Sequence, residues 1–304
     1  MVHSLHALHG FLRKSFNAGY VGRFGHIAGR WDLVLKGRLD APAVKNYFGT
    51  GNKTRLESNR RNFYRTFSHL LYGSVGVERQ FRKMHHAELA LVYQSVRYHK
   101  SGKHFNGGLN LIDPSAYNRK QFGGFQASYK FDQTNGNIYP TRGFLINVGG
   151  GYLKNLANND SSFLKINTNA SVYIPLSRSF TFAFRAGGGT VLGEADFYHL
   201  NRLGGNTEMR GYERERFYGN RVFYTNSEVR WIRNTRNFFF NGRAGLFGFC
   251  DIGRVWMHDE FSRKWHPGYG MGIILIPYNK VTLTGMYGLS DEGANLFFRA
   301  EMFF

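Results

Sequence analysis

The feature that most constrains this chain is an alternation of period two. From Phe163 to Ile174 the even positions are Leu164, Ile166, Thr168, Ala170, Val172 and Ile174; between them lie Lys165, Asn167, Asn169 and Ser171. Successive side chains of a strand point to opposite faces, so this segment has one apolar and one polar side. Phe180, Phe182, Phe184 and Ala186 repeat the pattern against Ser179, Thr181, Ala183 and Arg185. The chain end repeats it again, with Leu296, Phe298, Ala300, Met302 and Phe304 against Asn295, Arg299 and Glu301. Strands read this way fall near 26–40, 62–80, 85–99, 120–133, 141–154, 162–175, 178–190, 220–233, 241–257, 265–276, 280–289 and 294–304, about twelve in all, with a further one near 15–23. Several reach ten residues or more, the length of a tilted membrane-crossing strand. In hydrocarbon a sheet must close on itself to leave no backbone edge unpaired. The pattern therefore predicts an all-β fold, a transmembrane antiparallel up-and-down β-barrel.

Composition narrows the alternatives. Aromatic residues make up 17% of the chain, with 29 Phe and 18 Tyr, yet the mean hydropathy is −0.40. No apolar run is long enough for a membrane-spanning helix. The one cysteine, Cys250, rules out an internal disulfide and reads as a small apolar residue of a strand. The net charge of +20 suits an anionic headgroup surface or a phosphorylated ligand. Nucleic acid is set aside, because the cations are spread between strands (Lys100, Lys103 and His104; Arg119 and Lys120; Arg214 and Arg216; Arg233 and Arg236; Arg263 and Lys264) instead of gathering on one module. Pro175-Leu176-Ser177 and Pro277-Tyr278-Asn279 read as tight turns, and 100–119 and 191–219 as long loops. Neither a linker nor a second domain is visible, so 1–304 reads as one barrel, with 1–25 a lead-in or first strand. The opening residues lack the apolar stretch of a secretory signal, which implies that such a signal has been removed or that this is the C-terminal piece of a longer polypeptide.

One constellation is more specific. The long connector contains Leu203-Gly204-Gly205-Asn206-Thr207-Glu208-Met209-Arg210-Gly211-Tyr212, followed by Arg216-Phe217-Tyr218-Gly219. Two strand segments follow, one with Ser227-Glu228-Val229-Arg230 and one with Gly248-Phe249-Cys250-Asp251-Ile252-Gly253. This pattern resembles the C-terminal barrel of the BamA/TamA superfamily, the bacterial surface antigen barrels of outer-membrane assembly and translocation. The resemblance implies that 191–219 folds back into the lumen with Arg210 at its tip, and that Glu228 and Asp251 receive that arginine. The residues agree: Glu228 shares a face with Tyr224, Asn226 and Arg230, opposite Phe223, Val229 and Trp231, and Asp251 lies opposite Leu246, Cys250 and Ile252. A guanidinium fork between two carboxylates is a directional clamp. Gly211 is expected to let the tip turn and Tyr212 to pack against lumenal glycines. Glycines within strands, as in Gly149-Gly150-Gly151 and Gly187-Gly188-Gly189, are expected to permit curvature and the close approach of a lumenal segment. By the same resemblance Phe304 ends the outer-membrane insertion signal, and the rim cations meet outer-membrane lipid and lipopolysaccharide.

Tyr139-Pro140-Thr141-Arg142-Gly143-Phe144 resembles a strand lead-in common in these barrels. Asn46-Tyr47-Phe48-Gly49-Thr50-Gly51-Asn52-Lys53-Thr54, with Asn62-Phe63-Tyr64-Arg65, is similar to superfamily barrels from the Bacteroidetes, some of which follow a calcineurin-like phosphoesterase domain. About sixteen strands are usual in the superfamily. Twelve or thirteen therefore imply a smaller closed barrel or a truncated one.

Other chemistry is not expected. His3, His6 and His9 would converge on a metal only from a helix, and no acid or cysteine completes that set or His85-His86. Gly149–Gly151 lacks the context of a nucleotide fold, and neither a nucleophile elbow nor a Cys–His pair is visible. Asp259-Glu260 and Asp291-Glu292 read as solvated turns. The expectation is a barrel without cofactor, metal or catalytic site, localised to the bacterial outer membrane, that assists insertion or translocation of client outer-membrane or secreted polypeptides. The alternative is an anchor or exporter barrel for an attached or neighbouring hydrolase. A diffusion pore and a soluble β-protein rank lower.

Overall fold

The computed structural model describes residues 2–10, 15–56, 61–100, 114–136, 139–157, 161–236, 241–278 and 280–302. Among these the strands are β1 (Val2–Gly10), β2 (Ser15–Ala28), β3 (Trp31–Asn46), β4 (Arg65–Phe81), β5 (His85–His99), β6 (Lys120–Asp132), β7 (Gly143–Asn155), β8 (Ser162–Pro175), β9 (Phe180–Gly193), β10 (Asn201–Leu203), β11 (Phe217–Gly219), β12 (Arg221–Arg236), β13 (Asn241–Trp256), β14 (His266–Pro277), β15 (Val281–Ser290) and β16 (Gly293–Met302). Fourteen of them form one antiparallel meander in chain order, with β9 pairing β12 and with β1 and β16 as end strands; β10 and β11 pair separately. No described helix is long and apolar enough to cross a membrane.

The sheet is rolled into a barrel. The guanidinium of Arg216 contacts Thr54, in the loop after β3, and Glu292, in the turn between β15 and β16. Regions near both ends of the meander therefore meet at one side chain. Side chains alternate across the wall as the sequence predicts. Leu91, Met271 and Phe298 point outward and are at least 70% exposed, whereas Val92, Ile274 and Asn295 point inward and are buried. The turns 29–30, 82–84 and 176–179 and the passage from β14 to β15 lie at one end, together with the start of β1 and the end of β16. The long connectors that lead from β3 to β4, β5 to β6, β9 to β12 and β13 to β14 leave their strands at the other.

The strand number differs from the sequence reading. The segment 26–40 merges the end of β2 with most of β3 across the turn at 29–30, and 1–25 holds β1 and most of β2. In β1 the residues His3, His6 and His9 interrupt the apolar alternation that reveals a strand. They lie on a strand, so His6 faces away from His3 and His9. β10 and β11 have three residues each, too few to register as a period.

Candidate functional site

The connector from β9 to β12 enters the lumen and is held there as a short hairpin, β10–β11, against β12 and β13. Its approach to the wall depends on Gly189: a Cβ there would lie 2.3 Å from Asn167 Oδ1 and 2.8 Å from Oδ1 of Asn201 on the loop. Asn201, thus admitted, donates to Asn220 O at 2.8 Å. Leu203, Met209, Tyr212 and Phe217 of the loop pack with Val222 and Val255 of the wall into a buried apolar cluster.

The loop tip carries Arg210, and β12 and β13 carry Glu228 and Asp251 on their lumenal faces. The structure brings the three together. Nε and Nη2 of Arg210 donate to the two carboxylate oxygens of Asp251 at 2.8 and 2.6 Å, and its backbone N–H donates to Asp251 Oδ2 at 2.9 Å. Nη1 donates to Glu228 Oε1. The second oxygen of Glu228 accepts from Arg230 Nε at 2.7 Å, and Arg230 Nη1 reaches Pro140 O at 3.2 Å. The Arg210 guanidinium lies 3.9 Å from the ring centroid of Phe249, and that of Arg230 lies 4.1 Å from Tyr139. Asp251 has no exposed surface. Burial by itself would lower the pKa of Arg210, but the hydrogen bonds to Asp251 and the charge of Glu228 raise it above the ordinary value, so the clamp is ionic.

Gly211 fixes the tip in place. It has φ +101°, and a Cβ there would sit 2.4 Å from Leu289 O. Two wall glycines accept this close approach: a Cβ on Gly268 would meet Arg210 O at 2.0 Å, and one on Gly288 would meet Gly211 N at 2.6 Å. Ser290 Oγ and Asn295 Nδ2 both donate to Gly211 O at 2.8 Å. Glycine packing thus belongs to Gly211, where the sequence reading assigned it to Tyr212. Tyr212 is buried among the apolar residues of the loop and donates its hydroxyl to Asp291 Oδ1 at 2.6 Å. Burial, reinforced by the Asp291 carboxylate, raises the pKa of the phenol. Phe304 lies outside the described residues.

A second lock was not predicted. Arg216 is fully buried; its Nε and Nη2 donate to Glu292 at 2.6–3.0 Å, and Nη1 and Nη2 donate to Oγ1 and O of Thr54 at 2.6 and 2.7 Å. The segment 46–54 caps the loop. Tyr218 OH donates to Asn46 O at 2.6 Å, and Glu215 accepts from the Asn46 N–H at 2.9 Å while pairing with Arg202. Buried Asn52 accepts from the Val255 N–H at 3.1 Å, and Glu260 accepts from the N–H groups of Asn52 and Lys53 at 2.8 and 2.9 Å. Reading 259–260 and 291–292 as solvated turns holds for the exposed Asp259 and Asp291 and is corrected for half-buried Glu260 and Glu292; Glu260, Asp291 and Glu292 each hold a lumenal or capping segment. Their partners in those segments lie 76 to 208 residues away, beyond any local motif, and Asp291 also pairs with Lys264 of the neighbouring connector. The statement that no acid completes His85-His86 is corrected too, since Glu78 and Glu88 lie beside His86, with ligand atoms within 4.8 Å of one another. Arg23 and Lys36 already pair with those two carboxylates.

Residues 46–276, well over half of the chain, match the Omp85 superfamily domain. The chain belongs to the Omp85 superfamily. It is an outer-membrane β-barrel of that superfamily. Its fold is similar to that of BamA from Haemophilus ducreyi lacking POTRA domains 1–3, with a TM-score of 0.72 and 15% identity over 95% of this chain. It is also similar to CdiB from Acinetobacter baumannii, with a TM-score of 0.61 and 13% identity over 99% of this chain. For CdiB from Escherichia coli the corresponding values are 0.57, 14% and 94%. This Omp85 chain spans 62%, 53% and 52% of those three chains, less than two thirds of each. A search of curated proteins gave no match.

Proposed function

We propose that this Omp85 barrel assists the insertion or translocation of client polypeptides at the outer membrane, and that the Arg210 clamp fixes the lumenal loop and the barrel shape on which that activity depends. The observation that carries this reading is the bidentate grip of Arg210 on fully buried Asp251, with Glu228 as the second acceptor. A loop held so firmly across the lumen makes a simple diffusion pore a poor account and favours work at the wall or membrane boundary. In this reading the seam between end strands β1 and β16 opens sideways to clients. The exposed cations at the long-connector end, such as Arg119, Arg214, Arg263 and Lys264, meet lipopolysaccharide phosphates, and Phe304 serves the barrel's own insertion.

The test is reconstitution. Liposomes carrying the purified chain are mixed with a urea-unfolded small outer-membrane barrel, and its folding is followed by heat-modifiable gel mobility. Faster folding than in empty liposomes is expected, with the gain reduced by Arg210→Ala. Equal rates with and without the chain would count against an insertion role.

A second reading, an anchor or exporter for an attached or neighbouring hydrolase, is favoured by the cap: 46–54, Arg216 and Glu260 close the long-connector end over the lumenal loop. Co-purification of a phosphoesterase with the barrel, without any effect on client folding, would select it.

A further inference from the structure

The lumen contains a cavity of about 450 Å³ that the clamp does not use. Its lining includes Lys36, Lys45, Lys165, Arg202, His199 and Glu88. The charges around it do not balance. Lys36 pairs with Glu88, and Arg202 pairs with Glu215. Glu215 and Asp40 are the acids whose fields reach Lys45, but Glu215 is already engaged by Arg202 and the Asn46 N–H, and Asp40 by Arg38 and Asn17. Among the described residues neither Lys45 nor Lys165 has a carboxylate at ion-pair distance; Lys165 Nζ donates to the carbonyls of His199 and Leu200 at 2.9 and 3.3 Å. Two positive charges are therefore left over, within range of each other's repulsion and of Arg202. A charge taken out of bulk water is costly unless it is paired.

His199 lines the same cavity without a free donor. It is more than nine-tenths buried, and its Nδ1 has no hydrogen-bond partner among the described residues. Burial, together with Lys165, Lys45, Lys120 and Arg202, holds the ring neutral; its Nε2 donates to Gln94 Oε1 at 3.4 Å, so Nδ1 presents a lone pair. Lys45 comes from β3, Lys165 from β8, and His199 and Arg202 from the lumenal connector.

We propose that this cavity binds a small, multiply charged oxyanion of the phosphate class from the aqueous phase, which joins two walls of the barrel to the lumenal loop through Lys45, Lys165 and Arg202. The oxygens of such an anion accept from several ammonium and guanidinium groups at once, which a monovalent halide cannot do as well. The proposal is independent of whether the barrel inserts polypeptides.

The test uses the full detergent-purified chain and inorganic pyrophosphate, titrated calorimetrically at constant ionic strength balanced with chloride. Saturable 1:1 binding is expected, weakened at least tenfold by Lys45→Gln or Lys165→Gln. It should be unchanged in Lys130→Gln, whose ammonium pairs with Asp132. Heat-modifiable mobility verifies that each variant is folded. A second measurement needs no variant: pyrophosphate should protect Lys45 and Lys165, but not Lys130, from an amine-reactive reagent read by mass spectrometry. No saturable binding by the wild-type chain, the same affinity in the Lys45 and Lys165 variants, or uniform labelling with and without pyrophosphate would overturn the proposal.

Discussion

Replacing Arg210 with Ala removes three donated hydrogen bonds in one step, two to Asp251 and one to Glu228, and leaves only the backbone N–H on Asp251. The two acceptors then fare differently. Glu228 keeps Arg230 as a partner. Asp251 has no surface and no second cation among its ion pairs in the described residues, so its charge is left buried and uncompensated. Breaking a buried pair from one side costs about 3–5 kcal/mol. At about 1.4 kcal/mol per factor of ten, the equilibrium between docked and released loop shifts by roughly two to three and a half decades. Limited trypsin digestion at Arg214 and Arg216 reports that release, and heat-modifiable mobility reports barrel integrity. Digestion should accelerate at least a hundredfold in Arg210→Ala. Replacing both members with apolar residues, Arg210→Met with Asp251→Leu, should recover most of the protection, because no orphaned charge remains. Digestion within threefold of wild type in the single variant, or a double variant worse than either single one, would refute the reasoning.

Other outcomes follow from the same geometry. Gly211→Ala places a Cβ 2.4 Å from Leu289 O at φ +101°, so it should release the tip with a cost of at least about 1–3 kcal/mol, seen as a lower temperature for the heat-modifiable transition. Arg216→Ala should raise proteolysis within 46–54 as well as in the lumenal loop, because the same guanidinium holds Thr54 and Glu292; protection of 46–54 equal to wild type would contradict a shared lock. Asp291 lies in a turn outside the spanning strands. Partial burial pushes its pKa up, but the hydrogen bonds from Tyr212 and Lys264 outweigh that and hold it below the ordinary 3.8. A depressed folded-state pKa stabilises above the unfolded value and is lost as pH falls through the folded one. Loop protection should therefore fall in acid below about pH 4 in the wild type, with the Asp291 contribution missing in Asp291→Asn; identical acid profiles would remove Asp291 from the account.

The wall was legible because each lipid-compatible side chain declares its face locally. Val229, Trp231, Leu246 and Ile252 are exposed on the outside, and Asn226, Glu228 and Asp251 lie within. Arg210, Glu228 and Asp251 could be named in advance because the resemblance to the BamA/TamA barrels implies all three and strand parity agrees for the two acids. Arg216 lies in the same quoted stretch, yet its partners Thr54 and Glu292 are 162 and 76 residues away in unrelated connectors. Only closure of the barrel brings those connectors together, and no residue pattern encodes that meeting. The same holds for Lys165, an ordinary polar-face residue of its strand, and for Lys45, which lies past the segment 26–40 and faces the lumen only beyond the register shift between Asp40 and Ala43.

The central claim is that the Arg210 tip sits inside the barrel, gripped by Asp251. An electron cryomicroscopy map of the chain in lipid nanodiscs tests it most directly. The account predicts continuous density from the Arg210 guanidinium to the Asp251 carboxylate, with Gly211 seated against Gly268 and Gly288. A lumen free of the 201–219 segment, with Arg210 at the outer surface, would contradict it.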